Sequence, residues 1–387
     1  MKILYISPIN IGAQRGDSIH FLEIGENLRR LHHELLVICK KGGRRPLNLN
    51  VRYFPNVEIK YLTTLVTDLL SFAYLFSYLF IYKPHVVYYR GVTLGGIISR
   101  IFGTPSVAEA NGIYPDEIKV ERPHVFRLAG GILKLRERIN YLLVNKIICI
   151  TEGIKRELVK DYTVDEKICE VISNGVNINL FKPLNRFVCK KELKFEEKYF
   201  YLGFVGSFQV WQGLDTLIEA MRLVKEQGYN MIRCILVGGG DWRERGEEMV
   251  SQYGLQKEIL FAGRVGYEDV PRFINSFEVC LAPFKKERNA KIGLSPLKLY
   301  EYMACARPVI SSRVEGVSEV IEAGNCGYLF DPDNVKDLAC KIIQSYNERN
   351  KLGEMGNNGR SIVERRFSWE RVARAVENVL KNAVQVT

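Results

Sequence analysis

Short apolar runs alternate with amphipathic stretches along almost the whole chain. The first series of strand-like runs is Lys2–Ser7, Leu35–Lys40, His85–Arg90, Ser106–Glu109 and Lys146–Ile150. A second series follows at Tyr199–Val205, Ile232–Val237, Ile259–Phe261, Val279–Ala282, Pro308–Ile310 and Gly327–Leu329. Between them lie helix-period segments. In Asp17–Leu31 the period is marked by Ile19, Leu22, Glu23, Glu26, Leu28 and Leu31, and Thr151–Lys160 begins on a capping threonine. Strand and helix in strict alternation predict parallel sheets covered on both faces. The polar, turn-rich stretch from Ser173 through Asn177 to Phe181 and Pro183 separates the two series and reads as a domain linker. The expected class is therefore α/β, with two Rossmann-like, doubly wound domains facing across a cleft. Ligands of such sheets bind beyond the carboxyl ends of the strands.

One segment tests this reading. Tyr61–Tyr82 is strongly apolar, with Asp68 its only charge, and is long enough to span a bilayer. Six polar residues interrupt it (Thr63, Thr64, Thr67, Asp68, Ser71 and Ser77), and Lys83-Pro84 leads straight into the next strand. It is expected to be a buried or membrane-facing helix of the first domain, with a spanning helix as the alternative.

Composition adds three constraints. A chain of 387 residues with 47% hydrophobic content supports two domains with ample cores. The nine cysteines are scattered, with neither a CxxC pair nor metal-ligand spacing, and read as reduced core thiols of a cytoplasmic protein. The Lys2–Ile6 apolar run is too short for a secretory leader. The net charge of +11 is concentrated in residues 1–185, which carry 25 Lys/Arg against 17 Asp/Glu. No helix-turn-helix, RNP-like or zinc-finger pattern supports nucleic acid as the partner. An anionic membrane surface or a phosphorylated acceptor suits the charge better. Phe126–Asn145 fits the first of these: Arg127, Lys134, Arg136 and Arg138 share a helical stretch with Leu128, Ile132, Leu135 and Leu142. The apolar stripe could equally pack on a sheet.

The candidate chemistry centres on Gly293–Cys305. Ser295 is expected as N-cap and Pro296 as first helical residue, leaving free N–H groups and a positive helix end for an anion. Lys298 and Glu301, three apart, share a face. One suits a phosphate and the other a diol, the two polar parts of a nucleoside-diphosphate sugar. An ordinary capped helix is the competing reading. Glycine loops follow the first strand of each series: Gly12-Ala13-Gln14-Arg15-Gly16 and Gly206-Ser207 with Trp211, Gln212 and Gly213. Gly238, Gly239 and Gly240 end a third strand, where backbone can approach a base or phosphate. Arg90 ends one strand of the first series, and Glu109-Ala110-Asn111 ends the next. No nucleophile–histidine pair and no metal-binding cluster is visible.

These residues together resemble the family-four, or group 1, retaining glycosyltransferases of GT-B fold. The likeness rests on Ser295–Ala304 with Arg307-Pro308-Val309-Ile310, Ser173-Asn174-Gly175, Asp17–His20, Ile321–Asn325, and Phe367-Ser368-Trp369-Glu370. It implies an acceptor-side domain of residues 1–173 plus 366–387, a donor domain of 174–365, and a C-terminal helix crossing back to the first domain. It implies hexosyl transfer from a nucleoside-diphosphate sugar, as co-substrate, to a glycan or lipid-linked acceptor, with no metal required. Lys298, Glu301, Arg90 and Asn111 become the candidate catalytic residues. Gly16, Ser207, Trp211, Gln212, Gly238, Gly239, Arg264, Val265, Leu294, Ser295 and Leu297 join Lys298 and Glu301 on the donor. Arg15, Asp17, His20, Glu109 and Asn111 form the acceptor side.

Three departures from the family pattern involve four positions. Gly293 stands where a first glutamate is common, Ser207 and Gln212 stand where phosphate-binding Arg and Lys are common, and Asn111 replaces a histidine. Lys298 must then carry more of the phosphate charge, assisted by Arg15 or Arg90. A non-catalytic subunit binding a nucleotide-sugar or glycan, or a nucleotide-sugar epimerase, are the alternative functions.

Overall fold

The computed structural model describes the chain apart from Gln14, Lys41, 43–47, 58–62 and 386–387, and apart from the side chains of Thr64, Leu65, Glu121 and Arg288. Tyr61 and Leu62, with which the long apolar segment opens, lie outside the described residues, as does Gln14 of the first glycine loop.

The chain divides into two compact units, Met1–Asn174 with Trp369–Thr387, and Gly175–Ser368. Each is built on one parallel sheet. In the first, the strands are β1 Lys2–Asn10, β2 Glu34–Lys40, β3 Asn50–Phe54, β4 Val86–Arg90, β5 Ser106–Ala110, β6 Lys146–Cys149 and β7 Cys169–Val171, in the spatial order β3-β2-β1-β4-β5-β6-β7. In the second they are β8 Phe200–Ser207, β9 Ile232–Gly239, β10 Ile259–Gly263, β11 Val279–Ala282, β12 Val309–Ser312 and β13 Gly327–Phe330, ordered β10-β9-β8-β11-β12-β13. Every pairing is parallel, as between Leu4 and Leu36 or Phe204 and Leu236. Parallel neighbours require crossover helices, which is why the apolar strands are buried from both sides. All four residues of β11 and all five of β5 are buried.

The strand order reverses once in each sheet, between β1 and β4 and between β8 and β11. At such a point the two neighbouring crossovers leave in opposite directions and open a crevice at the carboxyl ends. The residues leaving β1, β4, β8 and β11 therefore occupy the ligand-binding position of each unit.

β3 and β7 are absent from the pattern reading. β3 is a five-residue edge strand, mostly exposed, and β7 is three residues long. The stretch after Asn174 is not a loose connector: Val176 and Phe181 are fully buried in the core of the second unit. Arg360, in the helix Leu352–Arg366, donates to the carbonyls of Phe181 and Ala304, both at 2.7 Å, and so ties that stretch to the end of the helix Leu297–Ala304. The helix Trp369–Gln385 belongs to the first unit, where Trp369 meets His20 edge-on at 5.3 Å. Eight cysteines are buried and reduced, whereas Cys340 is exposed and so departs from the core-thiol reading.

Arg360→Met should lower the stability of the second unit by about 2 kcal/mol, because buried carbonyls lose a charged donor. Thermal unfolding followed by circular dichroism, showing an early transition in the variant, checks this.

Candidate functional site

In the second unit the residues singled out converge on the helix Leu297–Ala304. The helix starts one residue later than expected, with Pro296 in extended conformation as its N-cap. Ser295 lies one residue ahead of that cap, and its Oγ lies 3.0 Å from the Tyr300 hydroxyl. The helix sits between sheet and core and is buried from Lys298 to Ala304. Tyr302 fixes it to the sheet, its hydroxyl accepting from Val205 N at 2.8 Å, and Tyr300 stacks on Phe367 at 4.6 Å.

Lys298 and Glu301 do share a face, yet they form no ion pair. The Lys298 ammonium donates to Gln212 Oε1 at 2.7 Å and lies 3.8 Å from the centre of the Phe204 ring. Burial lowers its pKa to about 7, against the opposing pull of Glu301. Burial likewise raises Glu301 to about 7, opposed by a hydrogen bond from Tyr267 and by Lys298. Tyr267 carried no motif signal, and only the fold brings it to Glu301.

The glycine loops explain their composition here. Gly206 has φ +149°, and a Cβ there would sit 2.6 Å from Lys298 Nζ. Gly238 has φ +140°, and its Cβ would meet the Gly206 carbonyl at 1.8 Å. Gly213, at φ +68°, starts the helix Leu214–Glu226. Arg264 lies against Gly239, and Val265 packs half-buried on the core. Trp211 is half-buried in a short helical turn with Gln212, and Ser207 is exposed at the end of β8. Leu294 and Leu297 are half-buried beside buried Ser295. The carboxyl end of β8 at Phe204 and Gly206 and the turn carrying Gln212 thus surround the Lys298 ammonium.

In the first unit the candidates form a buried polar network. Glu109 is buried on β5, and Arg90 ends the adjacent β4 in register with it. Burial would raise the Glu109 pKa, but His20, Arg90 and Tyr88 hold it at about 2. His20 Nε2 lies 2.7 Å from Glu109 Oε1, and its Nδ1 lies 2.7 Å from Asn174 Oδ1. Tyr88 and Asn111 donate to the same carboxylate. Arg90, Glu109 and Asn111 line a cavity of about 380 Å³ together with Asp68, Arg136 and Glu137. Asn111 Oδ1 is buried there without a protein partner. Arg15, exposed, pairs with Asp17 at 3.7 Å, and Gly16 is exposed at the start of the helix Gly16–Arg30; none of the three lines this cavity. Among the described residues no cluster of His, Cys, Asp or Glu could hold a metal ion.

Two family models divide the chain between them: "Glycosyltransferase Family 4" matches residues 15–180 and "Glycosyl transferases group 1" matches residues 185–362. The chain belongs to the group 1 glycosyltransferases. An uncharacterised glycosyltransferase of Methanocaldococcus jannaschii is 28% identical over 321 residues, covering 76% of this chain and 82% of that one. The capsular polysaccharide biosynthesis glycosyltransferase CapM of Staphylococcus aureus is 24% identical over 261 residues, covering 65% of this chain and 66% of the relative. The Anabaena protein HepE, solved with UDP and glucose, superposes with a TM-score of 0.76 at 20% identity over 98% of this chain and 99% of its own. The two parallel-sheet units are those of the GT-B fold.

The departure of this glycosyltransferase at Gly293 has a backbone cause. Gly293 has φ +65° and ψ −172°, a region that side-chain-bearing residues avoid. A Cβ there would lie 2.9 Å from the Glu315 carbonyl, which accepts from Leu294 N at 2.9 Å. A glutamate cannot replace it without rebuilding the turn. Gln212, at the other departure, compensates chemically: its amide oxygen accepts from Lys298 and steadies it without adding charge.

Two outcomes follow. Gly293→Glu should lower stability by about 1–3 kcal/mol and reduce donor binding rather than improve it, as measured by thermal unfolding and calorimetry. Donor affinity should peak near neutral pH: raising pH through about 7 deprotonates Lys298, and lowering pH through about 7 protonates Glu301. Lys298→Ala should remove the alkaline limb and Glu301→Gln the acidic limb of the affinity profile.

Proposed function

We propose that the chain is a retaining glycosyltransferase that moves a sugar from a nucleoside diphosphate to a glycan or lipid-linked acceptor in cell-surface polysaccharide synthesis. The observation that carries this reading is a buried lysine held without a carboxylate partner at the start of a sheet-anchored helix. A buried cation so placed is stabilised by an incoming phosphate. Glu301, on the same face, is free of an ion pair to accept hydroxyl protons of a ribose. The UDP and glucose bound by HepE, and the polysaccharide role named for CapM, support the same class of donor and product.

In the proposed step the bond from the anomeric carbon to phosphate breaks and its electron pair goes to the leaving diphosphate. The acceptor hydroxyl attacks from the same face and delivers its proton to that phosphate, so configuration is retained. Lys298 and the positive helix end stabilise the developing charge, which is the main lever available to the protein. No metal is needed for this. On the acceptor side, Arg90, Asn111 and Glu109 bind the head group in the first-unit cavity, where the unpartnered Asn111 Oδ1 takes an acceptor hydroxyl.

A lipid-linked acceptor is favoured by the surface of the first unit. The helix Pro123–Asn140 does not bury its apolar stripe: Leu128 is 87% and Ile132 72% exposed, and Leu135, Leu142 and Leu143 are exposed beside them. The helix Thr63–Tyr82 exposes Leu69, Phe72, Phe76 and Phe80, and it is joined to the first by a bidentate Arg136–Asp68 pair at 2.7 and 2.8 Å. Arg136 is therefore a strut of the fold, while Arg127, Lys134 and Arg138 are exposed and available to anionic lipid. Among the described residues no helix is long and apolar enough to cross a membrane. The proposed state is peripheral attachment on the cytoplasmic face.

Lys298→Ala and Glu301→Ala should each lower kcat/KM about ten- to a hundredfold, the effect of losing a charge-assisted bond worth about 1.5–3 kcal/mol. Product analysis with a nucleotide-sugar panel and lipid-linked acceptors checks this, and wild-type turnover in both variants would reject the assignment. Co-sedimentation should occur with anionic vesicles, weaken with salt, and fall when Arg127, Lys134 and Arg138 become Gln or when Leu128 and Ile132 become Ser.

A further inference from the structure

The second unit carries another cavity, of about 610 Å³, at the opposite end of its sheet from Lys298. Its walls come from the amino ends of strands: Phe200 opens β8, Glu278 precedes β11, and Pro308 precedes β12. Four cations line it, Arg186, Lys198, Arg307 and Arg349, against one carboxylate, Glu278. That carboxylate is already saturated. Its Oε1 accepts from Lys190 at 2.7 Å and lies 3.4 Å from Arg186, and its Oε2 accepts from Tyr201 N at 2.6 Å. Lys198 is paired with Glu196. Among the described residues neither Arg307 nor Arg349 has a carboxylate within ion-pair distance.

Arg307 is the unusual member. Its Nε is buried without a hydrogen-bond partner, and its two remaining contacts are long, to the Phe277 carbonyl at 3.5 Å and Asn275 Oδ1 at 3.3 Å. A half-buried guanidinium whose enclosed Nε lacks an acceptor is costly unless a ligand supplies one. Leu352 and Gly353, which also line the cavity, are the first residues of the helix Leu352–Arg366, whose N-cap Lys351 provides no side-chain cap. The free N–H groups and positive end of that helix add a second anion-attracting element of different origin. The aromatic faces at the rim are already covered, Tyr346 by Arg349 at 5.1 Å and Tyr199 by Arg233 at 3.9 Å, which leaves no open platform for a nucleobase.

We infer that this cavity is a binding site for a multiply charged phosphorylated small molecule without a base, distinct from the donor site. Arg307 and Arg349 supply the charge, and the start of the helix Leu352–Arg366 supplies the backbone donors. The site also touches the donor helix: Arg307 lies three residues beyond Ala304, and its own N–H donates to the Tyr302 carbonyl at 3.0 Å. An anion drawn to Arg307 would thus fix the exit of the helix that carries Lys298.

The inference is tested with inorganic pyrophosphate on the full chain, by calorimetry and thermal unfolding at constant ionic strength. Pyrophosphate could also occupy the donor site, so the measurement is made in Lys298→Ala as well as in wild type. Binding and a rise in Tm of about 2 °C or more should persist in Lys298→Ala. Adding Arg349→Gln should weaken that binding at least tenfold, and adding Arg307→Gln should abolish it. Because Arg307 is half-buried with its Nε enclosed, its variant could fail to fold; Arg349 is exposed, and its variant keeps the test decisive. Loss of all binding in Lys298→Ala, or equal affinity in Lys298→Ala with and without Arg349→Gln, would overturn the inference. Neither result would touch the donor assignment, which rests on turnover of Lys298 and Glu301 variants.

Discussion

The second unit is organised around one constraint, a lysine ammonium held inside the protein with no counter-charge bonded to it. Everything near Lys298 follows from accommodating that group. Gln212 gives it an acceptor, Phe204 gives it an aromatic face, and Gly206, at φ +149°, leaves it room. The helix that carries it cannot shift to relieve the burial, since Tyr302 and Tyr300 hold it to strand and core. The result is a rigid site whose charge is tunable near neutrality and whose missing partner is an anion. Its counterpart in the first unit is solved in the opposite way. There the buried charge is a carboxylate, Glu109, and several donors satisfy it so fully that it stays ionised far below neutral pH.

Much of this was legible in the chain. Strand–helix alternation specifies parallel sheets, and the residues that end β4 and β8 fall at the order reversals, with those that end β5 and β9 beside them, because of sheet topology, not local sequence. Lys298 and Glu301 could be placed on one face from their spacing alone. What spacing could not supply was their environment. Tyr267, Phe204, Tyr88 and Asn174 lie far away in sequence, and only packing brings them to the charged groups they control. β7 and β3 escaped for a related reason: both are short edge strands whose extent is set by pairing with one neighbour. Ser295 was misread as the cap because the helix begins one residue later, with Pro296 at that position.

The first unit shows where amphipathic patterning is ambiguous. An apolar stripe with basic flanks describes a helix lying on a sheet and a helix lying on lipid equally well. The two differ in whether the stripe is covered, and here Leu128, Ile132 and Leu135 are left open while Arg136 is consumed by Asp68. Charge counting alone would have given all four basic residues the same role.

Gly293 joins two stretches of chain at a crossing of backbones. Its Cβ space is taken by the Glu315 carbonyl, and Gly316, at φ +84°, has its own taken by the Leu294 carbonyl at 2.2 Å. Each backbone thus fills the side-chain space of the other, and the crossing closes only with both positions lacking a Cβ. The crossing is therefore a fixed joint, its separation set by carbonyl contact alone: a side chain at either position would pry the stretch ahead of the helix Leu297–Ala304 away from the turn at Gly316.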